Sequence, residues 1–218
     1  MLNIDGQLVP HELQEIADPT YSALLIIDMQ NGYCARLANT LGEQNTALIR
    51  RIARFAESAR SYDVPIIHIR MLTVSSYTRD SPYWLRMRWR AQGGETGQMQ
   101  SLADGSWEAD FVSQLTPREP ETIITKYRSS AFFDTPLNAV FRKLGTRTLL
   151  CTGCTTEGCI ESTVRDASLE DYFPIVVTDC VASDKQELHQ ASLQVMGAYR
   201  ADLATSEQIS AAWQMCRS

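Results

Sequence analysis

The chain has 218 residues, of which 44% are apolar and 21% charged, with a formal net charge of −6. That is ordinary globular usage, and it excludes disorder for most of the length. The acidic balance, with a pI near 5.1, argues against general affinity for nucleic acid or an anionic membrane. No window approaches the roughly 20 apolar residues of a membrane span. The opening MLNIDGQLVPHELQEI also lacks the basic start and apolar centre of a secretory signal. A cytoplasmic protein is therefore expected. Its six cysteines read as reduced thiols rather than a disulfide framework.

The length suits one α/β domain, or at most two small ones. In chain order, residues 23–27, 65–69, 122–125, 148–152 and 174–178 are short apolar runs rich in Ile, Val, Leu and Thr. Strands buried on both faces of a parallel sheet have this composition. Helical stretches alternate with them. Leu48, Ile52, Phe55 and Ala59 form one apolar stripe at helical spacing. Thr135-Pro136 predicts a helix start, with Thr at the N-cap and Pro at the first helical position. Leu137, Val140, Phe141 and Leu144 form its core face, and Gly145 its end. Further helices are expected after Gly158 and Asp184. The fold class is therefore α/β, with a mostly parallel sheet covered by helices. Residues 73–105, with Gly93, Gly94 and Gly97, read as a long excursion that is partly helical around Trp84 and Trp89.

Three chemical residues fall at the C-terminal ends of predicted strands, the edge where open α/β sheets bind ligands. Asp28 follows LLII, Lys126 follows TIIT, and TGCTTEGCIEST follows the run ending in LLC, placing Cys159 near a helix start. The helix dipole and a nearby Lys126 ammonium are expected to favour thiolate at Cys159. Asp28 is suited to move the thiol proton, and the turn to aim backbone N–H groups at an oxyanion. Taken singly, an acid at a strand end caps a turn, a lysine is solvated and a cysteine fills core. Their shared placement is what points to acyl transfer. Cys151 and Cys154 form a CxxC spacing, but residues three apart on a strand face opposite ways, and no second Cys/His pair completes a zinc site. Cys34 and Cys180 read as buried thiols, Cys216 as incidental, and His189 as a helix-surface residue with a minor structural role left open.

LLIIDMQNGY (24–33), ITKYRSSAFFDTPL (124–137) and LLCTGCTTEGCIESTVRDA (149–167) resemble the isochorismatase-like hydrolase family in its cysteine-hydrolase branch. The likeness continues more weakly through IVVTDCVAS (175–183) and reaches about residue 209. It implies a single domain over 1–218, a Rossmann-like three-layer α/β/α sandwich. It carries a catalytic Asp, Lys and Cys onto Asp28, Lys126 and Cys159. It also implies a cis peptide at Cys154–Thr155 and an oxyanion hole of the Thr155 and Cys159 N–H groups.

The nicotinamidase branch has a metal site of one Asp and two His after the second strand; this chain has His68-Ile-Arg70 there and no following histidine, so no metal or cofactor is expected. The resemblance implies hydrolysis of a C–N bond in a small amide or ureido compound through a thioester. GSWEADFVSQL (105–115), KYRSSAFFDTPL and CIESTVRDASLEDYF are similar to ureidoacrylate amidohydrolases. GCTTEGC is similar to maleamate and N-carbamoylsarcosine amidases, and RMRWRAQ (86–92) to biuret hydrolases. These hints leave the substrate open.

A substrate carboxylate calls for a fixed arginine. The candidates are Arg86, Arg88, Arg90 and Arg200, with Tyr33, Phe132, Trp84 and Trp89 as walls. A vinyl-ether hydrolase using Asp28, and a non-catalytic binding or interaction domain, stay open as alternatives. The family likeness also implies a homodimer or homotetramer, with one subunit's excursion near its neighbour's site.

Overall fold

The computed structural model describes residues 1–73, 81–91, 94 and 102–216. Two short strands, β1 (Leu2–Ile4) and β2 (Gln7–Val9), pair antiparallel around Asp5-Gly6, both with positive φ. Asp-Gly suits a two-residue hairpin because both positions tolerate that backbone. The main sheet has six strands: β3 (Ser22–Ile27), β4 (Ile66–Met71), β5 (Thr122–Lys126), β6 (Thr148–Cys154), β7 (Phe173–Ala182) and β8 (Asp202–Ala204). Their order is β5-β4-β3-β6-β7-β8 and every pairing is parallel.

The chain builds outward from β3 to β5, then returns beside β3 and builds the other way from β6 to β8. The order thus reverses between β3 and β6, the switch point at which doubly wound sheets bind ligands. β3 and β6 are buried at every residue, as their unbroken apolar composition requires.

Helices cover both faces. α1 (Leu13–Ile16), α2 (Asn31–Leu41), α3 (Glu43–Ser61) and α8 (Ser206–Cys216) pack over Leu24, Ile26 and Leu150 on one side. The stripe of Leu48, Ile52, Phe55 and Ala59 is the buried face of α3. Trp213 of α8 lies stacked on Phe55, ring centroids 5.4 Å apart, and donates its indole N–H to the Ala17 carbonyl at 2.7 Å. On the other side, α5 (Leu137–Leu144), α6 (Glu161–Leu169) and α7 (Gln186–Tyr199) pack over Leu25, Ile27, Leu149 and Val176. The result is the expected three-layer α/β/α architecture.

All five predicted strands are present, most of them running one or more residues further. α5 departs from expectation. Pro136 occupies its N-cap position rather than its first turn, and Thr135 sits one residue earlier, its hydroxyl accepting from the Leu137 amide at 3.3 Å. Leu137 and Phe141 are fully buried, but Leu144 is exposed because the helix ends there, at left-handed Gly145. In the excursion, α4 (Pro82–Ala91) is the helix expected around Trp84 and Trp89. Gly93 and Gly97 lie outside the described residues.

Gly153 sets how closely the two central strands approach. Its φ is +117°, and an added Cβ would stand 2.0 Å from the Ile27 carbonyl oxygen. Only glycine satisfies both conditions. This contact brings the end of β6 against the end of β3, immediately before Asp28.

Candidate active site

Asp28 directly follows β3 with φ +54°, a left-handed backbone that Asp tolerates better than most residues. Its amide donates to the Ile69 carbonyl at 3.0 Å. Two residues on, Gln30 is fully buried. Its carboxamide donates to the Met71 and Ala109 carbonyls at 2.9 and 2.8 Å and accepts from the Met71 amide at 2.8 Å. It thus clamps the end of β4 to the loop carrying Ala109, a role with no sequence signal beyond its position beside Asp28.

Lys126 closes β5, two strands from β3. Neighbouring strands lie about 4.8 Å apart, so only a long side chain spans the end of β4. Its ammonium lies 2.8 Å from Asp28 Oδ2 and donates to Cys159 Sγ at 3.1 Å. It also donates to the Arg128 and Ser129 carbonyls at 3.2 and 3.0 Å. Four acceptors thus surround a fully buried cation, the condition under which a buried lysine stays charged.

Cys159 lies on the turn Thr156–Ile160, two residues before α6. The peptide Cys154–Thr155 is cis, as the family likeness implied. The Thr155 carbonyl accepts from the Gly158 and Ile160 amides, both at 3.2 Å. Thr163 donates to the Cys159 carbonyl at 2.7 Å and accepts from the Ala131 amide at 3.0 Å. It ties the turn bearing Cys159 to the segment following Lys126.

The structure therefore gathers Asp28, Lys126 and Cys159 at the switch point. Asp28 and Lys126 are wholly inaccessible and Cys159 is 8% exposed. Burial raises the Asp28 carboxyl above the usual range, opposed by Lys126. Burial pushes the Cys159 thiol up to about 12, with Asp28 adding to the effect and Lys126 opposing it. Burial alone would lower Lys126, but Asp28 and Cys159 together outweigh it and raise the ammonium's pKa. The expected lowering of the thiol by Lys126 is thus outweighed by burial. With two acidic groups and one cation in a dry site, the neutral inventory is one ammonium, one carboxylate and one thiol. Neither Asp28 oxygen receives a well-directed hydrogen bond. The carboxylate is held chiefly by the Lys126 charge, with the Cys159 side chain and the Met71 backbone also acting to lower its pKa.

Of the other candidates, Tyr33 packs against both core layers, with the Arg36 guanidinium 5.5 Å from its ring centroid. Burial raises its phenol well above the usual value, and Cys159 and Asp28 add to the rise. Phe132 stands against Phe141 and Tyr172, at 5.9 and 6.0 Å. Trp89 and Arg90 are exposed on α4, and Trp89 packs over Gly94. Arg86 is exposed and Arg88 half-buried on the same helix. Trp84 faces inward and carries the Arg128 guanidinium 5.1 Å from its ring centroid. Arg128 was not foreseen, although it lies two residues after Lys126.

Arg200 is a correction. α7 runs back against the strand direction, from the end of β7 to the start of β8. Arg200, at its C-cap, therefore lies at the opposite edge of the sheet from Asp28, roughly 15–20 Å along the helix from its start. Cys151 and Cys154 are free, buried thiols. Among the described residues, no three His, Cys, Asp or Glu side chains form a metal-binding group, and no helix is long and apolar enough to cross a membrane.

A deeply buried Asp–Lys–Cys cluster at the switch point of a parallel sheet defines a hydrolase-like site. Residues 22–208 match the isochorismatase domain family, and the chain belongs to that family. It is 32% identical over 203 residues to a ureidoacrylate amidohydrolase of Methylobacterium radiotolerans, covering 86% of this chain and 78% of that one. Its fold matches a cysteine hydrolase from Pseudomonas syringae pv. phaseolicola with a TM-score of 0.78 at 21% identity, covering 90% and 94% of the two chains. It likewise matches an isochorismatase family protein of Desulfovibrio vulgaris, at a TM-score of 0.75, 25% identity and 89% and 98% coverage. The protein is a hydrolase of that family.

Proposed function

We propose that the protein is a cysteine amidohydrolase acting on a small ureido or amide acid of the ureidoacrylate kind, with Cys159 as nucleophile, Asp28 as proton acceptor and donor, and Lys126 as the fixed cation between them. One observation carries the reading: a single buried ammonium touches both Asp28 Oδ2 and Cys159 Sγ. Moving the thiol proton to Asp28 converts carboxylate and thiol into carboxylic acid and thiolate. The net charge of the buried cluster is unchanged, so the low-dielectric site opposes the transfer less than it would oppose a lone thiolate.

The sulfur then attacks the carbonyl carbon, and the oxyanion rests on the Thr155 and Cys159 N–H groups. Asp28 returns its proton to the departing nitrogen, leaving an acyl or carbamoyl thioester. Water gives a proton to Asp28 as it attacks, and collapse of the second tetrahedral species returns that proton to sulfur. The scheme calls on no cofactor. The reading extends to a cytoplasmic homodimer or homotetramer, which sedimentation of the purified protein tests.

The functional test measures ammonia or amine release from ureidoacrylate, N-carbamoylsarcosine, maleamate, biuret, malonamate and nicotinamide, with wild type and Cys159→Ala side by side. One of the ureido or amide acids is expected to turn over, with kcat reduced on the order of 10⁴-fold or more in the variant. Equal rates in both proteins would refute the cysteine mechanism.

A further inference from the structure

The nucleophile turn is held from a second direction. Thr156, fully buried between Thr155 and Cys159, has its hydroxyl 2.8 Å from His189 Nδ1. Its carbonyl accepts from the Ser192 hydroxyl at 3.3 Å. His189 and Ser192 stand three apart on α7 and so share one helix face. The single Ser192 hydroxyl proton is shared with Glu161 Oε2, the nearer acceptor at 2.5 Å, at the start of α6. α7 thus holds the Thr156 hydroxyl through His189 and stands against its carbonyl through Ser192, in a turn to which it is not directly connected in the chain.

The arrangement answers a local need. A buried threonine hydroxyl inside a helix bonds the carbonyl one turn back, as Thr163 bonds Cys159. Thr156 begins its turn with only Thr155 between it and the end of a strand, so no helical carbonyl precedes it. An imidazole supplies the partner instead. Burial pushes the His189 pKa down, against the raising effect of Glu157, which keeps the ring neutral. A neutral ring has one bare nitrogen, able to accept the Thr156 hydroxyl proton.

We infer that His189 is a positioning residue, which through Thr156 fixes the turn bearing the Cys159 sulfur and the Thr155 and Cys159 N–H groups. This rests on the cysteine reading for its effect on turnover, but not for its effect on the turn. The geometry makes the effect specific: Thr156 is one residue from Thr155, and a misplacement near 1 Å at reacting groups lowers rates on the order of 100-fold.

The experiment compares wild type, His189→Ala, His189→Asn, Thr156→Val and the His189→Ala/Thr156→Val double variant. One arm measures kcat and KM on whichever amide the wild type turns over. The other measures amide hydrogen exchange of residues 154–161 without substrate. His189→Ala and Thr156→Val are each expected to lower kcat by about 10- to 100-fold, with KM changed less than about threefold. The double variant should be no worse than either alone, because one bond is removed twice. Asn, whose amide reaches the Nδ1 position, should restore kcat to within about threefold of wild type.

Exchange in 154–161 should quicken about tenfold or more in His189→Ala and Thr156→Val and stay unchanged elsewhere. Multiplying effects in the double variant, no rescue by Asn, or unchanged exchange would overturn the inference. If wild type and Cys159→Ala prove equally active, the cysteine mechanism fails, and the exchange arm still decides whether His189 holds the turn.

Discussion

Replacing Lys126 by Met tests the charge inventory directly, because it keeps the side chain's length and removes only its cation. Lys126 Nζ and Asp28 Oδ2 are 2.8 Å apart with both side chains fully buried. At an effective dielectric of about 20 their attraction is about 6 kcal/mol. Breaking a buried pair from one side destabilises a protein by about 3–5 kcal/mol, since the remaining charge has no counterion. Asp28 can escape by taking up a proton. Its carboxyl is already raised by burial, and without Lys126 it rises further. A group with a raised folded pKa binds protons on folding, so it contributes stability below its unfolded pKa and loses it as pH rises through the folded value. The deficit of Lys126→Met should therefore be largest near about pH 8 and shrink by about 2 kcal/mol or more near about pH 5, at up to about 1.4 kcal/mol per pH unit. Denaturant unfolding at both pH values, with Asp28→Asn and the double variant beside it, measures this. The double variant should recover most of the loss near pH 8. A Lys126→Met deficit independent of pH, or no rescue by Asp28→Asn, would refute the buried-pair argument.

Two further predictions concern the frame. Gly153→Ala should destabilise the fold by about 3–5 kcal/mol, because the new methyl meets Ile27 backbone at 2.0 Å on a φ of +117°; a denaturation midpoint within error of wild type would exclude that contact. Acid should weaken the His68–Glu121 lock, in which His68 Nε2 lies 2.9 Å from a carboxylate that also accepts from Arg60 Nε at 2.7 Å. Burial lowers the His68 pKa. Burial works against the Glu121 carboxylate, but Arg60, the Arg118 amide and His68 together bring it to about 2. Both groups bind fewer protons folded than unfolded. Stability should thus fall below the ordinary histidine range, and further between the usual carboxylate value and about 2, by about 1–2 kcal/mol for Glu121 after screening at its open side. Urea unfolding from neutral to acid pH, with Glu121→Gln losing less, checks it; parallel curves would remove Glu121 as the cause.

The parts legible in the sequence are those in which one local property has one structural meaning. LLII is apolar at successive positions and belongs to a strand buried on both faces, whereas TIIT forms the edge strand β5, where Ile123 is exposed. The polar residue ending each run then marks the ligand-binding edge. Asp28, Lys126 and Cys159 were found that way. Arg200 was misplaced because nearness to a helix says nothing of which end faces the site. The helix start and Lys126 were expected to favour thiolate at Cys159 because charges can be read from sequence while desolvation cannot; burial outweighs the nearby ammonium. Gln30, Gly153 and the Thr156–His189 bond left no pattern to read, since each depends on contacts made only after folding. The β1–β2 hairpin and β8 were too short and too exposed for periodicity to register.

These contacts share one mechanical consequence. Asp28 and Thr155 each directly follow a central strand, and Gly153 allows those strands to meet backbone to backbone. Lys126 arrives from two strands away, and its four acceptors come from the end of β3, the segment after β5 and the turn bearing Cys159. Three of the strands thus lead into one member each, and the buried Lys126 ammonium ties the other two together. The proposed proton transfer requires the sulfur and carboxylate to keep their spacing, and the turn bearing Cys159 is the least regular element among them. The bond from α7 to Thr156 acts on that turn, which is why its loss should appear in turnover before it appears in global stability.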